Sequence, residues 1–178
     1  MTVAEFLAWD DGTDTRYELM DGRVIAMAPP STVHATIAQN VGELINRHLA
    51  GRAPCRAMQA AGVALPDEHD TVYVPDVLLT CEPLDRSPLA RAPRLIVEVL
   101  SPSTKGIDQK RKVPAYGRLP TVEEIWLVAS DERWVLVWSR VGETWVAGLP
   151  SMGSALFGSQ VLGGDVALDQ VYRLTGID

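Results

Sequence analysis

Apolar residues recur at helical spacing between residues 31 and 50, and this is the clearest pattern in the chain. The positions concerned are Val33, Ile37, Val41, Leu44, Ile45 and Leu49. They return every three or four residues, as one face of an α-helix does. Ser31 suits the N-cap and Gly51 suits the C-terminal end. The pattern predicts a helix over residues 31–50.

Shorter patterns precede this helix. Thr2 and Glu5 have the spacing of a capping box ahead of a few apolar residues, which predicts a short opening helix. Two strand-like runs at 17–20 and 23–27 then flank Asp21-Gly22, a dipeptide that favours a two-residue turn with positive φ. A β-hairpin is therefore expected before the long helix.

Three stretches with strand-like composition follow the long helix. They lie at 55–65, with internal breaks, and at 72–80 and 94–100, where Val, Leu and Ile dominate. Together these stretches predict a meander. A polar segment then leads to a helical candidate at 108–118 and to a buried strand at 124–128. The core order is αβββαβ, which predicts an α/β (α+β) fold with a mixed central sheet flanked by helices.

The C-terminal part adds less regular elements. Residues 134–139 and 145–146 predict one more hairpin, and residues 166–174 fit either a strand or a short helix. No internal repeat or low-complexity linker separates these elements from the rest. We therefore expect one domain over residues 1–178, and an apolar content of 47% agrees with a single compact core.

A net charge of −7 argues against a protein that coats nucleic acid non-specifically, because neutralisation of phosphates supplies that kind of affinity. It leaves DNA possible as a substrate, because charge acts locally. Two basic runs either face phosphate or form solvated surface: Lys105, Lys110, Arg111 and Lys112, and Arg86, Arg91 and Arg94.

The N-terminus and the cysteines suggest a cellular compartment. Residues 1–10 have no basic flank and no long apolar run, so neither a signal peptide nor a membrane helix is expected there. Cys55 and Cys81 are 26 positions apart and form no C-x-x-C pair, which predicts reduced thiols without a zinc site. The expected location is the cytoplasm.

Two acidic residues stand in apolar surroundings. Asp76 follows Pro75 inside the 72–80 stretch, and Glu98 interrupts the apolar run Leu95–Leu100. A buried carboxylate in such a strand needs a compensating metal ion or cation. Hydrolysis of a phosphodiester near neutral pH uses a divalent cation held by carboxylate oxygens. Glu98 could instead face solvent or pair with an arginine, but a metal site at Asp76 and Glu98 is the favoured interpretation.

Several motifs resemble the Uma-type restriction endonuclease family of the PD-(D/E)XK nuclease superfamily. The matching segments run from Tyr17 to about Trp138: Tyr17–Gly22, Pro29-Pro30-Ser31 with His34, Val74–Val77, Val97–Thr104, Asp108 with Lys112 and Tyr116, and Trp126–Val128. Their order and separation are specific jointly, although each is weak alone. The resemblance implies a restriction-endonuclease-like fold, Mg²⁺ (with Mn²⁺ as a substitute) bound by Asp76 and Glu98, DNA as substrate and an assisting lysine.

The position of that lysine departs from the superfamily pattern. Two residues after Glu98, where the lysine usually stands, the chain has Leu100. The resemblance implies that Lys112 takes its place from the following helix, where it could stabilise the attacking hydroxide or the charge that develops on phosphorus. Pro114 requires the helix to begin near Lys110 or Arg111, which would put it in the first turn. Lys105 and Lys110 are the alternatives to Lys112.

Glu18, His34, Asp108 and Tyr116 also match family positions and are possible supporting residues. Glu18 could equally face solvent, His34 and Tyr116 could pack in the core, and Asp108 could form a surface pair with Lys112. The leading hypothesis is a magnesium-dependent DNA endonuclease, expected as a homodimer because two sites are needed to cut both strands. The alternative is a catalytically silent module for dimerisation or DNA docking on the same fold.

Overall fold

The structure is a computed structural model that describes residues 1–102, 106, 108–153 and 155–177, with the backbone alone at Asp108. Its helices are α1 Val3–Ala8, α2 Thr32–His48, a π-helical turn Asp108–Lys112 that continues into α3 Val113–Gly117, and α4 Leu168–Val171. Its strands are β1 Tyr17–Met20, β2 Arg23–Ala26, β3 Arg56–Gln59, β4 Val63–Ala64, β5 Val72–Tyr73, β6 Val77–Thr80, β7 Pro93–Leu100, β8 Glu124–Ala129, β9 Trp134–Val141, β10 Thr144–Ala147, β11 Ser151–Met152, β12 Leu156–Ser159 and β13 Gly164–Ala167.

The N-terminal elements form as the sequence predicts. The Thr2 side chain accepts the backbone N–H of Glu5, and the Glu5 carboxylate accepts that of Thr2, so the capping box of α1 is complete. Asp21 and Gly22 have φ of 50° and 73°, as a two-residue turn of type I′ requires between β1 and β2. Ser31 caps α2 by accepting the N–H of His34.

The main sheet has seven strands, six of them in the order β10-β9-β8-β7-β6-β3, with β11 added to β9. Strands β7 and β8 run parallel, and the other neighbours are antiparallel. The mixed sheet and the αβββαβ order are therefore confirmed. The predicted meander is confirmed only for β3, β6 and β7. Strands β4 and β5 belong to a second sheet of order β2-β1-β5-β4, in which β5 pairs with β1 and β4 pairs with β5.

Two apolar clusters cover the two faces of the main sheet. Leu95, Val97 and Val99 of β7 belong to the cluster that contains α2 and α4. Ile96 and Leu100 belong to the other, which contains α3 and residues of β4 and β5. Side chains alternate between faces along a strand, so Glu98 points toward the α3 side. The α3 side is the one on which the second sheet lies.

Pro114 stands in the first turn of α3, the position of a helix in which proline is tolerated best. The preceding residues form the π-helical turn, so the helical stretch at 108–117 is continuous in chain but changes its geometry just before the proline. The predicted helix over 108–118 is thus confirmed, but a start near Lys110 or Arg111 was wrong, because the π-helical turn already includes Asp108. Lys112 therefore ends the π-helical turn, and Pro114 lies in the first turn of α3.

The expectation of reduced thiols was wrong. Cys55 and Cys81 form a disulfide. Arg56 pairs with Thr80 in the antiparallel β3–β6 ladder, and one further step of this register brings the two cysteines opposite each other. The two cysteines, 26 residues apart in sequence, are thus neighbours across two strands, which their spacing alone did not indicate.

The C-terminal segment contains both of the elements between which the sequence could not decide. β13 pairs with β12 in a separate two-stranded sheet and leads directly into α4. The predicted hairpin at 134–139 and 145–146 is confirmed as β9 and β10.

Candidate active site

Glu98 lies in β7, and Asp76 directly precedes β6, its neighbour in the sheet. Val77 pairs with Val97, so continuing this register by one residue places Asp76 opposite Glu98. Opposite residues of an antiparallel pair project from the same face. A hydrogen bond agrees with this placement, because the backbone N–H of Val99 donates to Asp76 Oδ2 at 2.8 Å. The Asp76 carboxylate is therefore held beside Val99, the residue that follows Glu98.

Glu98 is buried, with 3% of its surface exposed. Its Oε1 accepts the hydroxyl of Tyr116 at 2.6 Å and lies 3.4 Å from Nζ of Lys112. A carboxylate at this depth costs several kcal/mol unless charge and hydrogen bonds compensate it. The compensating cation is thus supplied by the helical stretch, as the sequence required of a buried acid in this strand.

Lys112 reaches the site from the last residue of the π-helical turn, and Tyr116 reaches it from α3 one turn later. The two residues are four positions apart and their side chains meet at one oxygen of Glu98. Residues at this spacing share a helical face. Lys112 also forms a buried ion pair with Glu18, in which Nζ lies 2.9 Å from Oε1.

Glu18 comes from β1, in the second sheet. Its Oε1 also accepts the backbone N–H of Val74 at 2.8 Å. Val74 is two residues before Asp76, so Glu18 is tied to the segment that carries the first acid. The interpretation of Glu18 as a solvent-facing strand residue is wrong, because only 6% of its surface is exposed.

His34 lies beside Asp76 at the start of α2. Its Nε2 is 3.4 Å from Asp76 Oδ2, and the two side chains are 15% and 21% exposed. Asp76 Oδ1 accepts no hydrogen bond from the described residues. The site is therefore most open to solvent at Asp76 and closed around Glu98, Glu18 and Lys112.

Tyr73 is a residue of the site that no sequence motif indicated. Its ring packs edge-to-face on Tyr116 with centroids 5.7 Å apart, and Nζ of Lys112 lies 5.7 Å from its centroid. Burial raises the pKa of the Tyr73 hydroxyl, which keeps it protonated. Its position three residues before Asp76 was the only available signal, and a β-strand tyrosine is common in any core.

The remaining candidates are placed as follows. Leu100 is buried among apolar side chains, so position 100 supplies no charge to the site. Lys110 is exposed. Arg111 is exposed and pairs with Asp21 at 2.7 Å, a contact that raises the pKa of its guanidinium. Lys105 and the side chain of Asp108 lie outside the described residues.

The second basic run is engaged with acids. Arg91 lies 3.0 Å from Asp85 and Arg94 lies 2.6 Å from Glu123. These pairs favour the interpretation of a solvated surface for this run.

Within the ranges 1–102 and 108–177, gaps apart, no three His, Cys, Asp or Glu side chains gather as a metal-binding group. Nor does any helix in this part of the chain have the length and apolar character needed to cross a membrane.

Comparison with known proteins gives consistent results. A crystal structure of a putative nuclease belonging to DUF820, from Anabaena variabilis, superposes with a TM-score of 0.73 over 98% of this chain and 99% of that one, at 20% identity. At this identity the likeness shows the fold.

Sequence relatives extend the comparison. An uncharacterised protein of Synechocystis is 31% identical over 132 residues, which are 73% of this chain and 69% of the relative. A second uncharacterised Synechocystis protein is 27% identical over 132 residues, 72% of this chain and 74% of that protein. The model of the Uma2 family, described as "putative restriction endonuclease", matches residues 3–167. The chain belongs to the Uma2 family.

Proposed function

We propose that this protein is a Mg²⁺-dependent endonuclease that hydrolyses DNA phosphodiester bonds, with Asp76, Glu98 and Lys112 as its catalytic residues. One observation carries the proposal: the Lys112 ammonium group lies 3.4 Å from the buried acid Glu98, and extending the β6–β7 register by one residue puts Asp76 opposite that acid. Membership of a family described as restriction endonucleases supports a nuclease-like role and DNA as the substrate class.

Asp76 and Glu98 fit a hard divalent cation. Both offer carboxylate oxygens, the ligands that Mg²⁺ and Mn²⁺ prefer. Asp76 Oδ1 has no hydrogen-bond donor among the described residues, and Asp76 is the more exposed acid, so a cation can reach it. When bound, a divalent cation polarises the phosphoryl oxygen and acidifies water.

The chain's own residues supply three further contributions. Lys112 brings a fixed positive charge, which stabilises the negative charge that accumulates on phosphorus in the transition state. The Tyr116 hydroxyl holds Glu98 Oε1 and so fixes the carboxylate in one orientation. The Val99 N–H holds Asp76 Oδ2 in the same way.

Lys112 does from the helix what a lysine at position 100 does from the strand in the superfamily pattern. Position 100 faces the same side of the sheet as Glu98, since the two are two residues apart on β7. A long flexible lysine side chain from the helical stretch covers the same space from the opposite direction, and its charge acts through distance and not through a planar geometry.

A homodimer is part of the proposal. Each chain holds one pair of acids, and cutting both strands of duplex DNA requires two such sites, which two-fold symmetry provides. Analytical ultracentrifugation of the metal-free protein, with and without duplex DNA, measures this directly. A chain that stays monomeric on DNA is expected to nick one strand.

The test begins with calorimetric titration of Mn²⁺ into wild type and Asp76→Asn. The substitution is nearly isosteric and removes only charge, so we expect an unchanged fold and an affinity lower by at least about 10-fold. Incubation with duplex DNA and Mg²⁺ or Mn²⁺ then measures cleavage. Equal Mn²⁺ affinity in the two proteins would contradict the metal site. Wild type that binds metal but cuts no DNA would favour the silent module.

A further inference from the structure

We propose that Glu18 is a positioning residue that holds the Lys112 ammonium group in place beside Glu98. The inference rests on the proposed function, in which Lys112 acts on the substrate. It concerns a residue of the second sheet, 94 positions from Lys112 in sequence, for which the sequence indicated only a possible supporting role.

The distances identify Glu18 as the main anchor of Lys112. Nζ lies 2.9 Å from Glu18 Oε1 and 3.4 Å from Glu98 Oε1. Only the first is a hydrogen-bond distance typical of a charge-assisted contact. Lys112 is therefore held by Glu18 and only approached by Glu98, whose Oε1 already accepts the Tyr116 hydroxyl.

Because the Glu18–Lys112 ion pair is buried, it fixes the position of the Lys112 ammonium group. The side chains of Lys112 and Glu18 are 8% and 9% exposed, so solvent and salt screen them little. Moving either side chain away would leave a buried charge without its partner, which is costly. The pair therefore restricts the position of both side chains, although it adds little net stability. Tyr73 packs beside the ammonium and limits its movement further.

Glu18 also connects Lys112 to the first acid. The same oxygen that binds Lys112 accepts the N–H of Val74, two residues before Asp76. One carboxylate thus sets the position of the cation relative to the segment that carries Asp76. Without it, Lys112 would keep only its longer contact with Glu98 of these two carboxylates, and Glu98 is an acid that the proposed site needs as a ligand.

A neighbouring ion pair offers a matched control. Arg111 is adjacent to Lys112 and pairs with Asp21, in the turn between β1 and β2. This pair also joins the helical stretch to the second sheet, but its side chains are 54% and 67% exposed, and exposed pairs contribute little. Asp21→Asn therefore removes a contact between the same two elements without touching the ammonium of Lys112.

The first measurement uses the ammonium group itself. The chain has three lysines, at 105, 110 and 112. In ¹⁵N-lysine-labelled, metal-free protein, an ammonium group fixed by a buried carboxylate exchanges slowly and gives a sharp ¹H–¹⁵N signal, which Lys112→Met assigns by its absence. We expect this signal in wild type and in Asp21→Asn, and we expect it to broaden or disappear in Glu18→Gln, whose backbone spectrum stays close to wild type while its Tm falls.

The second measurement is cleavage of DNA. Glu18→Gln should lower kcat by about 10- to 10²-fold with KM little changed, because the loss falls on a charge used in the transition state. Asp21→Asn should stay within about 2-fold of wild type. Glu18→Asp keeps the charge on a shorter side chain and should recover part of the lost kcat.

Each outcome decides the proposal. A sharp Lys112 signal in Glu18→Gln overturns it, as does a lost signal with unchanged kcat. If Glu18→Gln fails to fold, Glu18→Asp takes its place, and failure of both shows a purely structural role and overturns the proposal. If wild type cuts no DNA, the nuclease proposal fails while the spectra still decide whether Glu18 positions Lys112.

Discussion

Two buried glutamates on adjacent parallel strands, Glu98 of β7 and Glu124 of β8, show how the same residue type serves different ends. Neither is exposed by more than 3%. They face opposite sides of the sheet, since Glu124 pairs with Leu95 and Glu98 pairs with Leu127 in the β7–β8 register. Their partners differ in kind.

Glu124 is satisfied by neutral groups among the described residues. Its Oε2 accepts Trp126 Nε1–H at 3.2 Å and the Ser159 hydroxyl at 2.7 Å, and its Oε1 accepts the N–H of Gln160 at 2.6 Å. These donors tie the turn after β12 to the sheet. Glu98 is held by a lysine and a tyrosine from a helix and stands beside a second acid. We infer that Glu124 stabilises the fold, whereas Glu98 belongs to the proposed active site.

The largest effect is expected for Lys112→Ala, which tests the role proposed for the site around Glu98. Removing one charge that stabilises the transition state should lower the cleavage rate by about 10²- to 10³-fold with little change in Mn²⁺ affinity. Single-turnover cleavage and calorimetry measure the two quantities.

Lys112→Ala also removes the positive charge beside two buried carboxylates, Glu18 and Glu98, which lowers the free energy of unfolding. The double variant Glu18→Gln with Lys112→Met removes both charges of the pair and controls for this loss. It should fold and remain as slow as Lys112→Ala. Full activity in either variant would refute the role of Lys112 and direct attention to Lys105 and Lys110.

Glu124→Gln tests the structural side. An amide in place of either oxygen turns an NH₂ group toward a donor, either Trp126 Nε1–H or the Gln160 N–H. The free energy of unfolding should fall by about 1 to 3 kcal/mol, as for a buried group left without its partner. Urea denaturation measures this. Unchanged stability together with reduced cleavage would invert the roles assigned to the two glutamates.

The smallest effect is expected for Tyr116→Phe, which removes one donor to Glu98 and leaves the ring packed against Tyr73. Glu98 would keep its contact with Lys112 but lose a fixed orientation, so we expect cleavage about 10-fold slower. Kinetics at saturating Mg²⁺ check the value. A loss as large as that of Lys112→Ala would mean that the hydroxyl itself takes part in the reaction.

Local patterns predicted the elements that local forces determine. Asp21-Gly22 indicated its turn because few residues adopt two consecutive positive φ angles, and Ser31 indicated the start of α2 because its hydroxyl satisfies a free N–H. Glu98 was recognisable because an acid in an apolar strand needs compensation. Lys112 followed only from the family resemblance.

Contacts between distant segments were not predictable in the same way. The pairs Glu18–Lys112 and Cys55–Cys81 depend on which elements become neighbours in the fold. Strands β4 and β5 lie in the second sheet, although their composition does not distinguish them from strands of the main sheet. Glu124 was overlooked because it begins its strand next to Glu123, where an acid is ordinary, and its partners come from a turn 35 residues later. Such networks are set by tertiary packing.

The most direct test of a cation-dependent site at Asp76 and Glu98 compares Glu98→Gln with Glu124→Gln under identical conditions. Glu98→Gln keeps an acceptor for Tyr116, and Lys112 keeps Glu18, so the fold should persist. Mn²⁺ affinity and Mg²⁺-supported DNA cleavage should each fall in Glu98→Gln, cleavage by more than about 10²-fold, and stay near wild type in Glu124→Gln. Equal Mn²⁺ affinity and cleavage in the two variants would contradict the assignment of this site.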